Sequence, residues 1–203
     1  MTMQIKDHPS LVIAGIWNLA ILTPDWFYSE FSDLTEDKQG EAEVQIGTGV
    51  MRFPFGGVMI NPTTQKLILT ATKEEAQQYE IIEKIAHGIV SKLHYTPVTG
   101  IGHNVSYLID NNTKELNDDL FEKQEQSYQR QLKAVALDKL ESGYSLSFEH
   151  YTLNLTYSMS REEKFVHINY HYPCNQEQDL TRFIKEFSVH TLQSKEMVKG
   201  LLA

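Results

Sequence analysis

Between Tyr151 and Tyr172 the sequence alternates apolar and polar residues twice in succession. Tyr151, Leu153, Leu155 and Tyr157 are interleaved with Thr152, Asn154 and Thr156; Val166, Ile168, Tyr170 and Tyr172 are interleaved with His167, Asn169 and His171. A period of two is the signature of strands that bury one face only. A turn at Ser160–Glu163 joins them into an antiparallel hairpin whose paired numbers sum to about 323. That register sets Thr152 opposite His171, Asn154 opposite Asn169, and Thr156 opposite His167. Directly opposed residues share a face. One face is therefore apolar and needs a helix to cover it, while the other is a patch of uncharged polar groups.

Two long helices can supply that cover. The first opens at Thr72, with Glu75 in capping-box relation, and carries Tyr79, Ile82, Ile85, Ala86, Ile89, Val90 and Leu93 on one stripe until about His94. The second opens at Asn175 with Gln178 in the same relation. Its stripe of Leu180, Phe183, Ile184 and Phe187 runs to about Leu192, with weaker turns through Met197 and Leu201. Each helix follows three strand-like segments. Before the first lie Glu43–Phe53, Val58–Asn61 and Lys66–Ala71. Before the second lie Leu132–Leu140, Tyr144–Ser158 and Lys164–Tyr172, with breaks at Ser142-Gly143 and Ser160–Glu163.

Further upstream the grammar repeats. Leu11–Leu22 reads as a buried strand and is followed by a helix start at Thr23-Pro24-Asp25. Gly100–Asp110, with Ile101, Val105 and Ile109 on one face and Gly102, Asn104 and Ser106 on the other, is followed by Asn117-Asp118-Asp119. Strand, short helix, three strands and long helix thus occur twice, in about 1–97 and 98–203. The expectation is a single α+β domain: two pseudo-repeats sharing one curved antiparallel sheet, with both long helices on one side. In element order this is similar to the duplicated saddle of TATA-box-binding-protein-like folds. No motif of such proteins is present, so the similarity implies neither a function nor any site residue.

Local motifs of catalysis are missing. Gly47-Thr48-Gly49, Gly56-Gly57 and Gly100-Ile101-Gly102 lack the Lys-Ser/Thr ending of a phosphate loop and read as turns or kinks. His167 and His171 would share a strand face at about 13 Å separation, too far for one zinc. Cys174, the single cysteine, permits no intramolecular disulfide and reads as a small buried hydrophobe before a helix. The twelve-residue apolar run 11–22 is too short to span a bilayer as a helix and lacks a cleavage site. A cytoplasmic protein without cofactor, metal or membrane contact is expected.

The 203 residues carry 18 basic and 27 acidic side chains, for a net charge of −9. This disfavours direct nucleic-acid binding, which draws its affinity from Lys and Arg. The charge is concentrated: Asp25–Glu43 holds −6 and Lys114–Glu125 holds −3, so the remainder is neutral. The expected function is a non-catalytic interaction protein that self-associates and docks on another protein. Its candidate surfaces are the polar sheet face (Thr152, Asn154, Thr156, His167, Asn169 and His171) and the acidic patches (Asp33, Glu36, Asp37, Glu41, Asp118, Asp119 and Glu122). Rival readings are a small-molecule module between sheet and helix, an acidic inhibitor mimicking nucleic acid, and an enzyme whose residues converge only in space.

Overall fold

Nine strands pair into one antiparallel sheet in the computed structural model, which describes residues 3–35, 42–45, 50–109, 123, 126, 127, 138–160, 162–174 and 177–201. The strands are β1 (Met3–Gly15), β2 (Glu43–Gln45), β3 (Val50–Phe55), β4 (Val58–Pro62), β5 (Lys66–Ala71), β6 (Val98–Ile109), β7 (Lys139–Ser147), β8 (Thr152–Ser160) and β9 (Lys164–Pro173). Their order across the sheet is β2-β3-β4-β5-β1-β6-β9-β8-β7. The described helices are α1 (Pro24–Glu30), α2 (Ala76–Lys92), α3 (Glu177–Lys185) and α4 (Phe187–Leu201). The class is α+β with an antiparallel sheet, as the sequence implies.

Pleating sorts the strands into two faces. One cross-strand row runs Phe53, Ile60, Leu69, Leu11, His103, Tyr170, Leu153 and Leu146. This face carries the helices. Phe27 of α1 meets Phe53 edge-on at 5.2 Å, α2 packs on β4 and β5, and α4 packs on β6 and β9. The next row belongs to the other face: Pro54, Met59, Thr70, Ser10, Asn104, Asn169, Asn154 and Ser145. No described helix packs there.

The β8–β9 register is the one read from the sequence, with Thr152 on His171, Asn154 on Asn169 and Thr156 on His167. Other boundaries differ for local reasons. The strand expected over Leu11–Leu22 starts earlier and stops at Gly15. It stops because Asn18 turns the chain: its Oδ1 accepts the Ala20 N–H at 3.1 Å. Its upstream half was hidden by Lys6, Asp7 and His8, where shifts in the β1–β6 register break the alternation.

The expected capping box of Thr72 and Glu75 does not form, since Glu75 makes no side-chain cap and α2 begins at Ala76. Gln78 takes over. Its buried carbonyl accepts the N–H groups of Thr72 and Lys73, both at 2.8 Å. The expected strand Glu43–Phe53 is divided into β2 and β3, with 46–49 outside the described residues. Ser142-Gly143 is no break but the middle of β7, and the chain turns instead at Phe148–Tyr151, where the Phe148 N–H reaches the Tyr151 carbonyl.

The second long helix is two helices. Helix α3 ends at Lys185 and α4 restarts at Phe187, because the Glu83 carboxylate of α2 accepts the Ser188 N–H at 2.7 Å. An acid at a helix N-terminus satisfies an orphan donor and complements the dipole. Burial still raises the Glu83 pKa, with the Ser188 N–H pulling the other way. The contact ties α2 to α4 over the same face of the sheet.

Candidate functional site

The open face has a hydrogen-bonded spine. Ser145 Oγ donates to Asn154 Oδ1 at 2.9 Å, Asn154 Nδ2 to Asn169 Oδ1 at 3.1 Å, and Asn169 Nδ2 to Asn104 Oδ1 at 2.8 Å. Four strands, β7, β8, β9 and β6, each contribute one member. The pleat places these side chains in line, and each amide has a donor and an acceptor to pass the chain along. Gly102 makes room for it: a Cβ there would stand 3.3 Å from Asn169 Nδ2 and 3.5 Å from Asn104 Nδ2.

On one side of this spine, His167 Nδ1 lies 2.9 Å from Ser106 Oγ, and Ser106 is buried. Burial lowers the His167 pKa, partly offset by the Asp7 carboxylate. On the other side, Thr152, His171, Gly102, Val12 and Ile68 form the next open-face row. Toward β7 the face is amide and hydroxyl; toward β3 it becomes apolar through Val12, Ile68, Met59 and Pro54. These two rows hold no charged side chain. Where the face reaches Phe165, Lys6 closes it, with its ammonium 3.6 Å from the ring centre and paired to Glu163.

All six sequence-chosen face residues stand together on this surface. Asn104 and Ser106 join them because β6 pairs directly with β9, a long-range contact that hairpin arithmetic does not reach. Ser145 was concealed because the expected strand Tyr144–Ser158 ran through the turn at Phe148–Tyr151, which puts Ser145 opposite Asn154. Of the acidic set, Asp33 alone is among the described residues, and it does not lie on this face. Asp33 is exposed in the 3-10 turn Ser32–Leu34 after α1, close to the Gly56 turn. Glu36, Asp37, Glu41, Asp118, Asp119 and Glu122 lie outside the described residues.

A second polar cluster is buried under α4. His103 Nδ1 and His190 Nδ1 are 3.0 Å apart, and His190 stacks flat on Tyr170 with ring centres at 4.0 Å. Tyr172 Oη lies 3.2 Å from His190 Nδ1 and donates to Glu186 at 2.7 Å. Burial pushes the Tyr172 pKa up, and the bond to Glu186 adds to it. The space beside His103, Val105, Tyr170 and His190 holds no room for a water molecule. The cluster is thus a filled junction of sheet and helix. His103 and His190 are 87 residues apart, with no spacing signal to link them.

Elsewhere, an open groove of about 510 Å³ lies past the end of α2, lined by Val90, Leu93, Tyr95, Val98 and Leu180 among others. Among the described residues no three His, Cys, Asp or Glu side chains form a metal-binding group, and no helix is long and apolar enough to cross a membrane. No known family model matches the chain, and no curated protein matches it.

Proposed function

We propose that this chain is a non-catalytic interaction protein that takes up a protein partner on the open face of its sheet. The observation that carries the reading is the Ser145–Asn154–Asn169–Asn104 spine, which with the neighbouring Thr152–His171 row makes an uncharged band across the face, with Asp7, Lys6 and Glu141 at its margin. A face kept only for solubility is served by Lys and Glu, which cost most to strip of water. Amides and hydroxyls cost less to desolvate, and those of the spine are already held in place. Interface cores are depleted of charge in the same way. The apolar half, with Val12, Ile68 and Met59, adds area that gains from burial.

Outward from the centre, β1, β5, β4 and β3 have the same connections as β6, β9, β8 and β7. This supports two pseudo-repeats, about 1–97 and 98–203, of one curved sheet with a continuous open face. The acidic stretches are proposed to steer a basic rim of the partner, and a reduced, cytoplasmic setting suits the lone buried Cys174.

The test is a double substitution, Asn154→Arg with Asn169→Arg, in the full chain used as bait in extract of the native host. A stoichiometric partner that wild type retains and the double variant loses, with the melting temperature unchanged, supports the reading. Capture of the same partner in the same amount by both proteins removes it.

A further inference from the structure

Among the described residues, the two edges of the sheet are built differently. Strand β2 is only three residues long and is guarded by the Glu43–Arg52 ion pair at 2.6 Å. Strand β7 has nine residues, pairs with β8 without a register shift, and contains no proline. Soluble proteins blunt exposed edges with short strands, bulges, prolines and charges, because an unpaired edge recruits another strand. Edge β7 carries one such guard near its start, the Lys139–Glu141 ion pair at 2.6 Å, and from Ser142 to Ser147 it has no charge, proline or bulge. Its mid-strand Gly143 has open space around it: a Cβ there would meet nothing closer than the Leu155 carbonyl at 3.9 Å. Beside the edge, Tyr144, Leu146 and Phe148 are 58%, 48% and 49% exposed, large apolar groups in a row on the helix-bearing side.

We propose that β7 is the self-association edge, pairing antiparallel with β7 of a second copy so that the two sheets become continuous. The charge and the sequence of β7 both suit a second copy of this chain. The strand has one base, Lys139, and one acid, Glu141, so two chains of net charge −9 meet here without repulsion. The sequence is also self-complementary about Tyr144. With Tyr144 on the two-fold axis, Ser142 faces Leu146 and Glu141 faces Ser147 within the strands, and the start of the turn beyond each strand brings Phe148 toward Leu140 and Glu149 toward Lys139 of the second copy. Glu149 is well placed for this, with its side chain 87% exposed. Sliding the register one way sets Glu141 against Glu149, and sliding it the other way leaves Lys139 against Ser147. An isologous pair of this kind closes on itself and stops at two. The interface uses the strand edge and not the open face, so it stands or falls separately from the proposed partner surface.

The experiment is sedimentation of the full chain over a dilution series, with variants that read the axis. Wild type is expected to dimerise reversibly. Tyr144→Lys, which sets two lysines on the axis, is expected to be monomeric with an unchanged melt. Lys139→Glu is expected to weaken the dimer, and adding Glu149→Lys to restore it. Tyr144→Cys is expected to give a disulfide-linked dimer on mild oxidation, because directly opposed residues lie within bridging distance; Ser142→Cys is not. A wild type that stays monomeric at every concentration overturns the proposal, whether residues 110–137 of the same chain or another protein then cover the edge. A dimer that survives Tyr144→Lys, or one in which Tyr144→Cys fails to cross-link, overturns it as well.

Discussion

His103 on β6 and His190 on α4 share a single interior contact, Nδ1 to Nδ1 at 3.0 Å. Only one proton fits between those nitrogens, so one ring donates and the other accepts, and the contact is lost when both rings are protonated. Burial pushes the His103 pKa down to about 3, His190 adds to the depression, and the Phe183 carbonyl opposes it weakly. Burial lowers His190 too, against the pull of Glu186.

A pH dependence follows from these depressed values. The unfolded chain binds protons on both histidines near the ordinary value of 6.5, while the folded chain does not. Stability therefore rises with pH through this range and falls as pH drops from about 6.5 toward 3. Denaturant melts from about pH 8 to about pH 4 should show that loss. His103→Leu should flatten the slope, since it removes the more strongly shifted ring. An unaltered slope in the variant would assign the acid sensitivity to other groups.

Gly88 predicts the opposite of its helix propensity. In an exposed helix interior, Gly→Ala gains roughly 1 kcal/mol. Here a Cβ would stand 2.3 Å from Cε1 of Phe31, a ring that is buried and packed among Trp26, Phe27 and Phe55. Gly88→Ala should therefore destabilise, by about 1–3 kcal/mol as overpacking usually does. Shortening the ring in a Gly88→Ala, Phe31→Leu pair should recover part of that loss. A stabilised single variant in thermal melts would mean that α1 yields freely to α2.

Neighbouring residues on β8 test the two faces. Leu155 is buried on the helix-bearing side, whereas Thr156 lies half-buried on the open face opposite His167. Leu155→Asp would bury an unpaired carboxylate and should cost more than about 3 kcal/mol. Thr156→Asp should stay within about 1 kcal/mol. Equal losses in urea titrations would contradict the face assignment.

The hairpin from Thr152 to Tyr172 was legible because its alternation is strict and only one register buries all the apolar residues. Strand β5 was likewise read to its ends. Legibility failed where a distant group decided the outcome. The break at Glu186 depends on Glu83, more than a hundred positions away, and the start of α2 on Gln78 rather than on the expected capping pair. The polar spine was half visible. Asn154 and Asn169 came from the hairpin, but Asn104 required the β6–β9 pairing, and Ser145 required the turn at Phe148–Tyr151, which no Gly or Pro marks. The His103–His190 junction left no local trace, since each residue alone is an ordinary histidine in an apolar stretch.

The acidic stretch after α1 yields the last prediction, which concerns rate more than stability. Asp33, Glu36, Asp37 and Glu41 carry four of the seven acids between Asp25 and Glu43. Reversing all four to Lys should change stability by only about 0.5 kcal/mol each, as surface changes away from caps and cores usually do. Rim charges act chiefly on the rate of encounter, and salt screens them over roughly 8 Å at physiological ionic strength. With a partner in hand, the reversed protein should associate more slowly, and its association rate should depend less on salt. Its dissociation rate should stay close to that of wild type. Asn154→Arg with Asn169→Arg should act in the complementary way, raising dissociation while leaving the salt slope of association in place. If stopped-flow mixing gives one association rate for wild type and the four-residue reversal at low salt, the acids do not steer. The stretch would then serve only as a solvated connection between α1 and β2, and docking would rest on the open face alone.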